Sequence, residues 1–240
     1  MLAVNIPDVF PALHRARAGG SRTRGMMTLH GIEPDLYADA FRFRGVIDGA
    51  VGTNRLACRL LEEIGGIAPA RVYYAPYGVA PIAARERVPR PSGASLRIGY
   101  AGRLEGSQKR VGDLPLVSTA LDRMGVGHEW RIAGGGPEER SLRRGLPAGH
   151  AVYLGAMRGS DVARQLYAEI DVLIVPSRWE TGPLVAWEAM AAGVPVVAAR
   201  YLGSGLEDAL RNEDNALLFD VGDAEGAAAQ LARLAREPGL

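Results

Sequence analysis

The feature that most constrains this chain is an alternation that begins at residue 96 and runs on almost without interruption. Short apolar runs, bounded by glycine, proline or charge, take turns with segments of helical period. Leu96–Ala101 (LRIGYA) reads as a buried strand ending in Gly102, and Glu129–Ala133, Ala151–Leu154, Asp171–Val175, Val194–Ala198 and Ala216–Phe219 read as further strands. Between them the periodicity predicts helices over Leu114–Met124, Glu138–Arg144, Asp161–Glu169, Pro183–Ala192 and Glu207–Arg211, with a final one over Ala224–Arg236. Strands that are apolar throughout are buried on both faces. The pattern therefore means βαβ units, an α/β fold and a parallel sheet covered on both sides by helices, with right-handed crossovers.

Residues 1–80 look like part of a second such unit. Met26–Leu29 runs into His30-Gly31, Val46–Val51 into a Thr53 cap and a helix over Asn54–Ile64, and Arg71–Ala75 into Pro76-Tyr77-Gly78. Residues 81–95 hold Pro81, Pro89 and Pro91 among arginines and serines, the composition of an interdomain linker. The expected organisation is a partial domain over 1–80, a linker over 81–95 and a complete domain over 96–240. One continuous sheet with a long surface loop is the alternative.

Composition removes several function classes. The 28 basic and 27 acidic residues leave a net charge of +1, which gives no electrostatic case for nucleic acid or an anionic membrane as main partner. Cys58 is the single cysteine, so an intrachain disulfide, a CxxC redox motif and a cysteine-rich zinc site are excluded. The most apolar stretch, Pro183 to Ala199, is broken by Glu188 and Pro195 and is too short to span a bilayer. The opening residues carry Pro7 and Asp8 and lack a basic start, unlike a signal peptide, so a cytoplasmic setting is expected. There is no G-x-x-x-x-G-K-[ST], H-E-x-x-H, G-x-S-x-G or Asp-x-Asp motif. His14, His128 and His150 are isolated and read as surface residues, whereas His30 ends a strand, where a side chain can face a cleft.

Three segments carry candidate chemistry. In Gly102-Arg103-Leu104-Glu105-Gly106-Ser107-Gln108-Lys109-Arg110, the loop after the first strand of the long alternation, Arg103 offers a planar fork for phosphate oxygens and Lys109 a compact point charge. Lys109 stands out because it is the one lysine in an arginine-rich chain. Loops at the C-terminal strand ends of an open parallel sheet are where ligands bind, so the pair suits a diphosphate; two solvated cations in a turn is the alternative. The second segment is Glu180-Thr181-Gly182-Pro183-Leu184-Val185-Ala186-Trp187-Glu188. Pro183 suits a first helical position, Gly182 a close approach, and the N–H groups at the helix start an anion. Glu180 and Glu188 could accept sugar hydroxyls, or serve as a cap carboxylate and a core ion pair. The third, Gly134-Gly135-Gly136-Pro137, is half of a dinucleotide fingerprint, but Glu139 stands at its last glycine position, which leaves a tight turn near phosphate or sugar.

Taken together these pieces resemble the retaining glycosyltransferases of the GT-B fold (glycosyl transferases group 1, family 4). That family includes sucrose, trehalose and bacterial mannosyl- and glucosyltransferases. The resemblance is carried by the ordered set GYAGRLEGSQKR, WRIAGGGPEE, VYLGAM, DVLIVPSRWETGPLVAWEAMAAGVPVVAA and NALLFDVGD. It implies two Rossmann-like domains and transfer of a hexosyl group from a nucleotide-sugar donor to an acceptor hydroxyl, carbohydrate or lipid-linked. It implies that Arg103 and Lys109 neutralise the donor diphosphate, that Glu180 touches the donor sugar, and that Glu188 binds the ribose. Gly182, Pro183 and Leu184 fall at the anion-binding helix start, Gly155-Ala156-Met157 where the base is received, and His30 where an N-domain histidine faces the sugar. No cofactor or metal is expected beyond the donor substrate. The chain departs from the family in placing Gly182-Pro183 where the glycine usually falls a residue later, and Tyr77 where an asparagine is usual. It also starts after the family's first strand and Gly-rich loop. An inactive or partner-dependent donor-binding module, and a GT-B epimerase or phosphorylase, are therefore alternatives. Self-association or a partner chain through the short N-terminal portion is a further expectation.

Overall fold

The computed structural model describes residues 2–4, 9–79, 90–91, 93–146 and 149–237. The chain divides into two compact units, Met1–Gly78 and Val79–Leu240. Residues 81–89 and 92 of the linker expected over 81–95 lie outside the described residues.

The first unit is a four-stranded parallel sheet in the order β1 (Leu2–Val4), β2 (Met26–Leu29), β3 (Gly49–Gly52), β4 (Val72–Tyr74). Helices α1 (Val9–Ala18), α2 (Pro34–Phe43) and α3 (Arg55–Glu63) connect the strands. Neither α1, α2 nor β1 is expected from the sequence. The α2 start is nonetheless of a recognisable kind, with Pro34 in its first turn and Asp35 behind it. The strand expected over Val46–Val51 begins later because the Val46 and Ile47 N–H groups both donate back to the Phe43 carbonyl, at 2.9 and 3.2 Å. The cap of α3 is Asn54 rather than Thr53: its Oδ1 accepts from the Ala57 N–H at 2.7 Å. A single buried cluster holds this unit, built on Phe10, Met27, Leu29, Tyr37, Ile47 and Leu61.

The second unit contains β5 (Leu96–Ala101), α4 (Asp113–Arg123), β6 (His128–Ala133), α5 (Glu139–Gly145), β7 (Ala151–Gly155) and α6 (Gly159–Gln165). It continues with β8 (Val172–Val175), α7 (Leu184–Ala191), β9 (Val196–Ala199), α8 (Ser204–Glu207), β10 (Leu217–Phe219) and α9 (Ala224–Arg236). All pairings are parallel and the strand order is β10-β9-β8-β5-β6-β7. The chain therefore builds outward from β5 in one direction, then returns to lay β8 against its other edge, with Ile98 beside Val172. That return is a topological switch point, and in open α/β sheets the ligand crevice lies outside the carboxyl ends of the strands at that point.

Period-two alternation sorts the strand residues into two core layers. Val172 and Ile174 join Trp130, Leu114, Leu121 and Leu231 on one face. Leu173 and Val175 join Leu166, Tyr167, Ala186 and Ala189 on the other. Gly99 lets Ile170 close on β5, since a Cβ there would lie 2.3 Å from the isoleucine Cδ1. Every strand expected in this unit is present to within about two residues. The helix expected over Glu207–Arg211 sits instead at Ser204–Glu207, bounded by two left-handed residues, Gly203 at φ 88° and Asp208 at φ 50°. The helix expected over Asp161–Glu169 stops at Gln165 and finishes as a tighter turn, Tyr167–Glu169.

His128 corrects the sequence reading. It is buried, not a surface residue: Nε2 meets the Ser118 hydroxyl at 2.6 Å and Nδ1 the Val126 carbonyl at 2.9 Å, while Trp130 donates to the same serine at 3.3 Å. His14 and His150 are exposed. Among the described residues, no helix is long and apolar enough to cross a membrane.

Candidate functional site

The loops that leave β5 and β8 at the switch point meet, and they carry most of the residues singled out from the sequence. The loop after β5 is fixed first by its own backbone. Leu104 is fully buried; its N–H donates to the Gly135 carbonyl at 3.0 Å and its carbonyl accepts from Glu138 at 2.9 Å. Gly134 and Gly136 permit this approach. They take φ of 147° and 159°, and a Cβ would sit 1.8 Å from the Gly102 oxygen at the first and 2.4 Å from the Leu104 oxygen at the second. The triple glycine is thus a packing surface for the neighbouring loop.

Glu105 then shapes the tip. Its carboxylate accepts from the N–H groups of Ser107 (2.8 Å), Gln108 (3.0 Å) and Lys109 (2.7 Å), and from the Ser107 hydroxyl at 2.7 Å. Burial alone would raise its pKa, but the Ser107 hydroxyl and the three backbone donors outweigh that and bring it down to about 2. The turn ends at Arg110, held at φ 51° with its guanidinium on Asp113 at 2.7 Å. Tyr100, buried below, donates to the Arg103 carbonyl at 2.8 Å; burial and the Glu180 charge push its hydroxyl pKa upward.

Two side chains cross to the loop after β8. Lys109 Nζ donates to Glu180 Oε1 at 2.6 Å, and Glu180 is only 6% exposed. The buried Gln108 donates from Nε2 to the Trp179 carbonyl at 3.1 Å, and its own carbonyl accepts from the Arg178 N–H at 2.8 Å. Gln108 Oε1 also accepts from the exposed Arg103 at 2.5 Å. Glu180 is therefore the buried partner of the lysine rather than a cap carboxylate. A buried carboxylate needs such a partner.

The rest of the β8 loop leads into α7. Gly182 takes φ 126°, and Pro183 is the cap residue with helix beginning at Leu184, one position later than expected. The N–H groups of Leu184, Ala186 and Trp187 are already engaged by the Gly182 and Pro183 carbonyls at 2.8 to 3.2 Å. Glu188 lies one turn on, half-buried. It accepts from the Tyr167 hydroxyl at 3.1 Å, and its Oε1 would lie 3.9 Å from a Cβ on Gly159. No cation lies within ion-pair distance of Glu188 among the described residues, so it is not the core ion pair that was the alternative. Burial, with Glu188 beside it, pushes the Tyr167 hydroxyl pKa upward.

Gly155, at φ 72°, ends β7; its carbonyl accepts from Gly134 at 2.8 Å, Ala156 lies against Gly135, and Met157 packs on the lower core layer. The second unit thus collects Arg103, Lys109, Glu180, Gly182, Pro183, Leu184, Glu188 and Gly155–Met157 at the C-terminal ends of β5, β7 and β8. His30 belongs to the first unit, at the end of β2, where Nδ1 contacts the Tyr77 hydroxyl and the rings tilt at 35°. Sequence reasoning did not assign roles to Glu105, Gln108 or Tyr167. A glutamate directly before a run of small and polar residues, Gly106-Ser107-Gln108, was the available signal for Glu105; the other two act through partners far away in sequence. Among the described residues, no group of three His, Cys, Asp or Glu side chains is placed to hold a metal ion.

Comparison with known proteins adds to this geometry. Residues 95–237 match the family model of glycosyl transferases group 1. The chain is 36% identical over 133 residues to a GDP-mannose-dependent alpha-mannosyltransferase of Corynebacterium glutamicum, covering 55% of this chain and 30% of the relative. It is 36% identical over 126 residues to a sulfoquinovosyl transferase of Arabidopsis thaliana, covering 50% of this chain and 24% of the relative. It matches these curated relatives over about a quarter to a third of their length. Among solved structures, the Anabaena protein HepE in complex with UDP and glucose superimposes with a TM-score of 0.78 at 16% identity, over 99% of this chain and 69% of that one. The parallel α/β fold is that of the GT-B glycosyltransferases, and the family match covers the whole switch-point site: the chain belongs to the glycosyl transferases group 1.

Proposed function

We propose that this chain acts in hexosyl transfer from a nucleotide-sugar donor to an acceptor hydroxyl with retention, and that the crevice between the β5 and β8 loops holds the donor. The observation that carries the reading is the Lys109–Glu180 contact at 2.6 Å. It brings a phosphate-binding cation and a hydroxyl-accepting carboxylate to one point at the switch of a parallel sheet, where ligands of this architecture bind. An ammonium has three donors. Lys109 can keep Glu180 and still present hydrogens to a diphosphate, while Arg103, held by Gln108, offers its planar fork. Arg103 and Lys109 then stabilise the charge that grows on the departing nucleoside diphosphate, the largest single contribution such a site can make. Glu180 orients the sugar, Glu188 takes the ribose hydroxyls, and Gly155-Ala156-Met157 receives the base. The acceptor hydroxyl attacks on the leaving-group face, which gives retention. The relative named as GDP-mannose-dependent and the HepE complex with UDP support a nucleoside diphosphate as the leaving part of the donor.

Calorimetry with UDP, GDP and their nucleosides, beside a transfer assay with a broad acceptor set, tests this. Lys109→Ala removes a charge-assisted contact worth about 1.5–3 kcal/mol, so diphosphate affinity should fall roughly ten- to a hundredfold, with nucleoside affinity unchanged. Glu188→Gln should weaken nucleoside diphosphate and sugar nucleotide alike; Glu180→Gln should act on the sugar nucleotide selectively. Equal losses for nucleoside and diphosphate in Lys109→Ala would make the lysine structural and remove the phosphate assignment. Tight binding without transfer would favour the partner-dependent module.

A further inference from the structure

We propose that Gln108 is a positioning residue for the donor phosphate, setting the Arg103 guanidinium and the Glu180 loop in one geometry. The inference rests on the donor-binding reading of the crevice. Gln108 is 7% exposed, although it stands in a polar loop between two exposed residues and a cation. Its amide is used at both ends. Oε1 accepts from Arg103 at 2.5 Å, and Nε2 donates to the Trp179 carbonyl at 3.1 Å. Its backbone carbonyl accepts from Arg178 at 2.8 Å. The first bond lies within the loop after β5; the other two reach from it to the residues immediately before Glu180.

The chemistry of an amide suits this task in a way that other side chains of the same size do not. A neutral amide has both an acceptor and a donor. The acceptor steers the arginine without neutralising it, so the cation remains free to meet a phosphate. The donor satisfies a main-chain carbonyl that would otherwise be left unpaired on the β8 side. A carboxylate in its place keeps the first bond, draws the guanidinium charge to itself and loses the second. A thioether of similar length loses both. Positioning of this kind matters because an arginine that is already oriented loses less side-chain freedom when the ligand binds.

The experiment is isothermal titration of the full chain with UDP and GDP, with uridine and guanosine as controls, on wild type, Gln108→Met, Gln108→Glu, Gln108→Asn, Arg103→Ala and the Gln108→Met/Arg103→Ala double variant. Gln108→Met should bind the diphosphates about tenfold or more weakly and the nucleosides as wild type does, a loss of the size expected when a hydrogen bond to a charged group goes. The Gln108→Met loss should shrink in the Arg103→Ala background, because residues that act through one another are not additive. Gln108→Glu, which neutralises Arg103 and adds a negative charge beside the diphosphate, should bind the diphosphates at least as weakly as Gln108→Met. The same fold-loss in both backgrounds, or equal losses for nucleoside and diphosphate, overturns the proposal. Should Gln108→Met fail to fold by circular dichroism, the shorter neutral amide of Gln108→Asn decides: a diphosphate-selective loss supports the proposal and wild-type affinity overturns it. Wild type that binds neither diphosphate overturns the donor reading and this inference with it; wild type that binds while Gln108→Met is unimpaired overturns this inference alone.

Discussion

The two parallel sheets are covered differently. On β8 of the second unit all four residues are buried, alternately in an upper and a lower layer. On β2 of the first unit Met27 and Leu29 are buried, while Met26 and Thr28 are only half-buried. On β4 both Tyr73 and Tyr74 are exposed, at 51% and 41%. A strand clamped from both faces fixes the direction in which its last residue leaves, so a loop springing from it inherits a defined origin. The loops after β5 and β8 have that support and are then laced together by Lys109 and Gln108. His30, at the end of β2, meets the Tyr77 hydroxyl within the first unit. The second unit fixes its loops by burial on both strand faces, and the first leaves one face of β2 and both tyrosines of β4 more open.

The largest expected effect breaks the two-layer clamp itself. Trp130 is fully buried in the upper layer, and Trp130→Ala should cost about 3–5 kcal/mol. Hydrogen exchange reads where the loss falls. Protection should drop across residues 96–237, and an equal drop in β2 and β3 would break the comparison. Next in size is a pair of glycines within the second unit. Gly134→Ala places a methyl on the Gly102 oxygen at a left-handed φ and should cost about 2–4 kcal/mol. Gly155→Ala meets nothing within 4 Å, so its left-handed φ alone should cost about 1 kcal/mol. Equal melting temperatures for the two variants would show that the loop contact is dispensable.

Glu105 gives a smaller effect with a defined pH signature. Its folded-state pKa is about 2 against an ordinary 4.5, so the ionised carboxylate stabilises the fold fully above the unfolded value and progressively less as pH falls through the folded one. The stability gap between wild type and Glu105→Gln should be on the order of 1–3 kcal/mol at pH 7 and close towards pH 2. Thermal melts of both proteins across that range measure it; a gap independent of pH would remove the carboxylate from the account of the loop. The smallest effect lies in the first unit. Tyr77→Phe should alter stability by less than about 1 kcal/mol yet shift the ring-nitrogen NMR signals of His30, leaving the other three of the four histidines unchanged. Unmoved His30 nitrogens would mean that the tyrosine does not set its tautomer.

What the sequence disclosed follows the same division. The strands of the second unit were legible because a run such as Val172–Val175 is apolar at every position and bounded by turn residues. In the first unit β3 is Gly-Ala-Val-Gly, too poor in side chains to mark its own start, and α1 has no acidic residue in its first turn to announce it. The candidate site residues were picked out one at a time, by motif. Their pairing was not, since Lys109 and Glu180 stand 71 positions apart. His128 shows the same limit: its burial depends on Ser118, ten residues earlier on α4, and no local pattern encodes that meeting. Glu105 lay within the quoted motif, but its role emerges only when three consecutive N–H groups turn towards it.

The Lys109–Glu180 contact has a practical consequence for chemical labelling. In a chain with one lysine, a reagent that acylates ε-amines has a single side-chain target, and that target lies in the switch-point crevice. The amine must leave its carboxylate to react, and anything that occupies the crevice covers it. Once acylation of the terminal α-amine is separated by peptide mapping, the extent of acylation at Lys109 reports the state of this one loop, and occupancy can be read by mass without knowing the acceptor or waiting for a turnover.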